Sequence, residues 1–233
     1  MSRNYRMNEF KLNKFFDHTL LKPEATPEQI DTLCKEAIAS DFYSVCVNSC
    51  YVPRVSKALN ESDVKTCAVV GFPLGACSTD TKVFETRYVC NEGADEVDMV
   101  LNVGMLKGKD YNFVRNDISK VVEAAHDMNA KVKVILETCL LSDTEIVMAC
   151  ELSMEAGADF VKTSTGFNTG GATVKDVMLM KKTVGSSMKV KASGGIRDLK
   201  TVKAMIEAGA DRIGASAGVK IMEEAKSKDI TRE

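Results

Sequence analysis

Short apolar runs with a period of two alternate along this chain with longer stretches in which apolar residues recur every three or four positions. The first pattern reads as strand, the second as helix with one packed face. One phrase recurs at the junctions: Asn91-Glu92-Gly93-Ala94-Asp95, Glu155-Ala156-Gly157-Ala158-Asp159 and Glu207-Ala208-Gly209-Ala210-Asp211. Each copy stops a helical pattern on glycine and opens a β-rich run, so each marks a helix end feeding a strand. Spacing the other β-rich runs against these copies predicts eight strands, near residues 16–19, 43–48, 64–71, 96–102, 131–137, 160–165, 188–193 and 212–216. Thr26 before Pro27 predicts an N-cap for a helix over 27–39, and apolar spacing predicts helices over 81–92, 111–128, 143–156, 174–184 and 199–208. Strands alternating with helices over 233 residues argue for an α/β chain closed as a (β/α)8 TIM barrel. The expected organisation is a single domain over 1–233, with a short N-terminal extension 1–13 and a charged C-terminal tail 223–233. An open doubly wound sheet is the other arrangement, but Gly71-Phe72-Pro73-Leu74-Gly75 lacks the glycine spacing of a nucleotide loop.

Strand alternation divides the side chains. Val97, Met99 and Leu101 share one face and Glu96, Asp98, Val100 and Asn102 the other; Val132, Val134 and Leu136 oppose Lys131, Lys133, Ile135 and Glu137. The apolar faces suit the helix layer. The same period turns Lys162 and Ser164 inward with Phe160, Lys191 and Ser193 with Lys189, and Gly214 and Ser216 with Arg212. Barrel interiors are normally filled with branched apolar residues, so Asp98, Lys133, Lys162 and Lys191 converging there indicate either a reactive site or a buried ion-pair network. An ordinary lysine, titrating near 10.4, is protonated at neutral pH and cannot attack a carbonyl; desolvation or a second cation nearby changes that. Lys191 is the candidate second cation for Lys162. Ser193-Gly194-Gly195-Ile196 and Gly214-Ala215-Ser216-Ala217-Gly218, at consecutive strand ends, are candidate anion loops.

Charge narrows the partners. Lys+Arg 31 against Asp+Glu 33 gives a net charge of -2, with no basic helix or stripe for nucleic acid and no basic surface for a membrane. Small-molecule partners are expected. No apolar run reaches the length of a membrane span and the first residues lack the apolar centre of a secretory signal, so the chain reads as cytosolic. Of eight cysteines, Cys34, Cys46, Cys67, Cys90, Cys139 and Cys150 fall in apolar periodic segments and read as reduced core thiols. Cys46 and Cys50 are separated by three residues and the chain has two histidines, which argues against a redox pair and a structural zinc site. His18 reads as structural, His126 as exposed, and Met178, Met180, Met205 and Met222 as core filler.

With these residues assembled, the chain resembles deoxyribose-phosphate aldolases, class I aldolases on a β/α barrel. The resemblance rests on Asp17-His18-Thr19-Leu20-Leu21-Lys22-Pro23, Val45-Cys46-Val47-Asn48, Gly71-Phe72-Pro73-Leu74-Gly75, Asp95-Glu96-Val97-Asp98, Phe160-Val161-Lys162-Thr163-Ser164-Thr165-Gly166, Val190-Lys191-Ala192-Ser193-Gly194-Gly195-Ile196-Arg197 and Arg212 to Gly218, in that family's order. It implies reversible cleavage of 2-deoxy-D-ribose 5-phosphate to acetaldehyde and D-glyceraldehyde 3-phosphate, in deoxyribose phosphate catabolism, with no metal or organic cofactor. It puts the Schiff-base lysine on Lys162, the second lysine on Lys191 and the proton-transfer carboxylate on Asp98. Asp17, Thr19, Cys46, Lys133 and Thr163 are expected to line the substrate site, and backbone groups at Gly194, Gly195 and Gly214, with Ser216, to hold the phosphate. Asp98 would act alone or through a water held with Lys191, given the proton affinity of a partly buried carboxylate. A homodimer is expected by the same resemblance. The chain departs from some members at Phe167, where they have a phosphate-binding lysine, at Ala217, where they have a second serine, and in a tail without tyrosine. A lysine-dependent aldolase for another phosphorylated sugar or keto acid, and a phosphate-sugar binder without chemistry, are the rival readings.

Overall fold

The structure, a computed structural model, describes residues 12–230. Its strands are β1 (Phe16–Leu20), β2 (Ser44–Val47), β3 (Lys65–Val70), β4 (Glu96–Val100), β5 (Lys131–Ile135), β6 (Phe160–Lys162), β7 (Lys189–Ser193) and β8 (Arg212–Ala215). All pair in parallel in chain order, and β8 closes on β1 through Phe16 opposite Ile213. The outward residues Val45, Val47, Ala68, Val70, Val97, Met99, Val132, Val134, Val161, Val190 and Ile213 are buried between barrel and helices, as a parallel sheet covered by crossover helices requires. The eight-stranded closed barrel, rather than the open sheet, is therefore the fold.

The helices are α1 (Pro27–Ala39), α2 (Val52–Leu59), α3 (Thr79–Asn91), α4 (Val103–Lys107), α5 (Tyr111–His126), α6 (Asp143–Glu155), α7 (Val174–Val184), α8 (Leu199–Glu207) and α9 (Gly218–Ile230). Thr26 and Ser142 close full capping boxes on α1 and α6, and Asp198 caps α8, so these starts are written locally. Among the described residues no helix is long and apolar enough to cross a membrane.

The repeated phrase does the same structural job three times. Gly93, Gly157 and Gly209 take φ of 100°, 80° and 109°, a turn out of the helix that a side chain would oppose. The aspartate two residues later then reaches back: Asp95 Oδ2 accepts the Thr66 N–H at 2.8 Å, Asp159 Oδ2 that of Val132 at 2.8 Å, and Asp211 Oδ2 that of Val190 at 2.9 Å. Each aspartate pins the start of its own strand to the start of the preceding one.

Several expectations are corrected. The strand near 160–165 ends at Lys162, because Thr163–Thr165 turn their bonding to β7 and to Glu137. Residues 223–230, expected as tail, continue α9; residues 1–11 of the expected extension lie outside the described part. Cys139 is exposed in a short turn rather than in the core, and Met178 is exposed on the outer face of α7, whereas Met180 and Met205 are buried. His18 is buried and donates or accepts through Nε2 with Glu36 at 2.7 Å, and His126 lies at the surface beside Asp159.

Candidate active site

Seven charged side chains project into the barrel: Asp17 from β1, Glu96 and Asp98 from β4, Lys133 from β5, Lys162 from β6, Lys191 from β7 and Arg212 from β8. All are buried. In-register pairing explains the convergence, since Asp98 lies opposite Lys133 and Lys162 opposite Lys191 across adjacent strands, on the face that alternation turns inward.

Asp98 is the hub. Its Oδ1 accepts from Lys133 Nζ at 2.8 Å and from the Cys67 thiol at 3.2 Å. Its Oδ2 accepts from both Lys162 Nζ, at 2.9 Å, and Lys191 Nζ, at 2.7 Å. Lys191 Nζ also reaches Asp17 Oδ2 at 2.5 Å, and Lys133 Nζ reaches Glu96 Oε2 at 2.6 Å. Lys162 and Lys191 thus share one oxygen, which makes them close neighbours with one counter-charge between them. Burial alone would raise the Asp98 carboxyl, but the ammonium groups of Lys133, Lys162 and Lys191 outweigh it and hold it well below the usual range. Burial would likewise lower Lys191, yet Asp17 and Asp98 outweigh it and raise it, so Lys191 stays a cation. Lys133 is raised in the same way, with Asp98 as its leading counter-charge. Asp98, expected to have a suitable proton affinity if partly buried, is instead fully buried, with its carboxyl held low by the three lysines.

The other expected residues divide into three groups. Cys46 is buried with Leu21, Cys67, Val69 and the half-buried Phe72 in an apolar wall beside the charges. Thr163 donates to Ser193 O at 3.0 Å and accepts from Ser193 N at 3.1 Å, so its hydroxyl ties β6 to β7; Thr19, half-buried, donates to Asp17 O at 2.8 Å. Gly194, Gly195, Gly214 and Ser216 line the carboxyl-terminal rim, with Gly195 and Ser216 exposed. Gly194 has φ 87°, and a Cβ on Gly214 would sit 2.9 Å from Ser193 Cβ and 3.1 Å from Lys191 Cε, so glycine at 214 is what lets the rim approach Lys191. Phe167 stacks edge-on against Phe72 at 5.2 Å and adds no charge to the rim. Arg197, exposed on the loop of Gly194 and Gly195, has no ion-pair partner among the described residues.

Glu96 and Arg212 belong to this cluster and were not singled out as site residues by sequence reasoning, although alternation had already turned both inward. Their position at strand starts, below the glycine loops, hid them. The sulfurs of Cys46 and Cys67 and an Asp98 oxygen lie within 4.8 Å of one another, but both Asp98 oxygens already face ammonium groups, which fits ion pairing better than a metal.

Chemically, a buried amine beside a second lysine and a carboxylate, under a glycine-lined rim, is an arrangement suited to imine formation with a carbonyl compound. The comparisons with known proteins bear on which one. A family model described as DeoC/LacD family aldolase matches residues 12–224. A protein of Clostridium novyi named deoxyribose-phosphate aldolase is 61% identical over 218 residues, covering 94% of this chain and 98% of that protein. One of Thermococcus kodakarensis with the same name is 58% identical over 221 residues, covering 94% and 99%. Among solved structures, one described as a putative deoxyribose-phosphate aldolase from Coccidioides immitis is 46% identical with a TM-score of 0.91, over 93% of this chain and 86% of that one. The deoxyribose phosphate aldolase of Aeropyrum pernix, described as having a unique tetrameric structure, is 37% identical with a TM-score of 0.87, over 93% and 91%.

Proposed function

The chain belongs to the DeoC/LacD family of aldolases, and from that premise we propose that it is a class I aldolase that reversibly cleaves 2-deoxy-D-ribose 5-phosphate to acetaldehyde and D-glyceraldehyde 3-phosphate, in deoxyribose phosphate catabolism. The observation that carries the reading is the oxygen of Asp98 shared by Lys162 and Lys191, at 2.9 and 2.7 Å.

In the proposed sequence the Lys162 amine adds to the C1 aldehyde, and loss of water leaves a protonated imine. The proton of the C3 hydroxyl leaves; the C2–C3 bond breaks, its electron pair moves into the imine to form an enamine, and C3 departs as the aldehyde of glyceraldehyde 3-phosphate. Protonation at C2 and hydrolysis then release acetaldehyde and the free amine. Lys191 supplies the fixed positive charge beside the amine and, with Asp98, the relay for the C3 and C2 protons. With Lys162 held as the imine, Asp98 faces the Lys133 and Lys191 ammonium groups. The C3 proton passes through a water to the Asp98 carboxylate, the Lys191 ammonium gives a proton to C2, and Asp98 returns one to Lys191. Asp17 and Lys133 hold the two relay groups in place, while the Cys46 wall and Thr19 border the carbon chain. Backbone N–H groups at Gly194, Gly195 and Gly214, with Ser216, hold the phosphate, and Arg197 supplies the charge that Phe167 lacks.

A homodimer is part of the proposal. Phe84 and Tyr88 on α3 and Met128 after α5 form an exposed apolar patch, and light scattering at twice the chain mass tests for one. A cytosolic location follows from a charged sugar phosphate as substrate. The test of the reaction is product identification: incubation with 2-deoxy-D-ribose 5-phosphate should yield acetaldehyde and glyceraldehyde 3-phosphate in equal amounts, and Lys162→Met should yield neither. Turnover of a different phosphorylated sugar or a keto acid, with no acetaldehyde formed, would transfer the reading to another lysine aldolase.

A further inference from the structure

Arg212 enters the barrel from the first position of β8 and is 3% exposed. Its guanidinium carbon lies 3.2 Å from the centroid of the Tyr43 ring. Nη1 donates to Asp17 Oδ1 at 2.8 Å, and Nη2 to Glu96 Oε1 and Oε2 at 2.7 and 2.9 Å. Both carboxylates are thereby divided: Asp17 between Arg212 and Lys191, Glu96 between Arg212 and Lys133. The ion-paired set holds the carboxylates Asp17, Glu96 and Asp98 against the bases Lys133, Lys162, Lys191 and Arg212, one base more than there are acids. Arginine does not give up its proton in proteins. Lys133 contacts Glu96, Asp98 and, at 4.0 Å, Asp17, and Lys191 contacts Asp17 and Asp98, but Lys162 contacts Asp98 alone.

We infer that Arg212 is a positioning residue for the amine chemistry: by occupying Asp17 and Glu96 from below, it makes Lys162 the excess base of a buried charge set, and so selects which lysine is free to react. The inference rests on the imine reading for its purpose but not for its electrostatics. The cost of burying an unbalanced charge falls on the least-compensated group. The other titratable groups around the site lie outside that ion-paired set or are controlled below. Cys67, on β3, is a thiol that burial raises, and Tyr43 presents its ring to Arg212. Glu137, a further buried carboxylate after β5, spends both oxygens on the Thr165 N–H and hydroxyl and is ion-paired with none of the four bases. Cys46, on β2, is lowered through its hydrogen bond with Cys67 and is the one further proton that enters.

The test is titration of lysine 13Cε resonances in the full chain without substrate, with the Lys162 signal assigned by its loss in Lys162→Met. Arg212→Met makes the count three against three, and the Lys162 midpoint should rise by about one pH unit or more. Glu96→Gln makes it two against four, and the midpoint should fall. The double variant restores an excess of one and should return to within about half a unit of the unsubstituted protein, as should Arg212→Lys, which disturbs the packing but keeps the charge. The same order is expected in a Cys46→Ser background. An unmoved or lowered midpoint in Arg212→Met, or a double variant that does not return, overturns the inference. If Arg212→Met does not fold, the comparison of Glu96→Gln with the double variant decides: a fall that the double reverses supports it, and equal midpoints overturn it. Midpoints that follow the charge count in a protein that forms no imine would sink the aldolase reading and leave this inference standing. Imine formation with midpoints blind to the count would do the reverse.

Discussion

At the scale of single residues, the site is organised by a shortage of counter-charge. Three ammonium groups face the two oxygens of Asp98, and the shared oxygen is the one nearest the proposed nucleophile. Removing that charge while keeping the shape separates structural from chemical roles. Asp98→Asn should lower the rate of aldol cleavage by about 10²–10⁴-fold, the range for loss of a proton-transfer group. It should also cost about 3–5 kcal/mol of stability, because the lysines lose a buried partner. Steady-state rates and urea midpoints on the same preparation measure both. A variant destabilised but fully active would confine Asp98 to a structural part. The residues that strand alternation turns inward were legible in the sequence, because a period of two needs no tertiary information. Which oxygen serves which lysine was not, since Asp98 and Lys191 are 93 positions apart and meet only once the barrel closes.

At the scale of elements, the Gly-Ala-Asp junctions were legible as boundaries, the glycine by its position after a helical period. The aspartate's bond to the previous strand was hidden, because it crosses an intervening helix. The short α2 and the charged α9 also escaped. The first is brief, with a proline at its start, and the second reads as a solvated tail until Ile221 is seen buried against the core. Another unread feature joins α3 to α5: Lys82 Nζ, fully buried, donates to Asp117 Oδ2 at 2.6 Å and to Val100 O at 2.9 Å. Lys82→Met should destabilise by about 3–5 kcal/mol by stranding Asp117, whereas Lys82→Met with Asp117→Leu should recover most of that loss. Urea denaturation of the single and double variants checks the pair; equal stabilities for the two would show that the salt bridge itself carries the energy.

At the scale of the whole molecule, the barrel's interior ties stability to pH on both sides. Burial raises Asp17 and Asp98, but the surrounding cations overcome it and hold both below their ordinary 3.8, so their stabilisation is complete above that value and is lost as the pH falls through the folded-state values. Lys133 and Lys191 are held above 10.5 by buried carboxylates that outweigh desolvation, so their stabilisation is complete below 10.5 and is lost as the pH rises through the folded-state values. Thermal unfolding should therefore show a plateau between about pH 5 and 10 with losses outside it, flatter in Asp98→Asn on the acid side. The same charges that set this window are the ones proposed to run the reaction, and a single experiment addresses that claim. The protein is incubated with acetaldehyde and borohydride, digested, and its peptides mapped by mass. The account predicts a reduced two-carbon adduct on Lys162, absent in Lys162→Met and not transferred to Lys133 or Lys191. A folded protein with no labelled lysine, or with the label on Lys191, would contradict it.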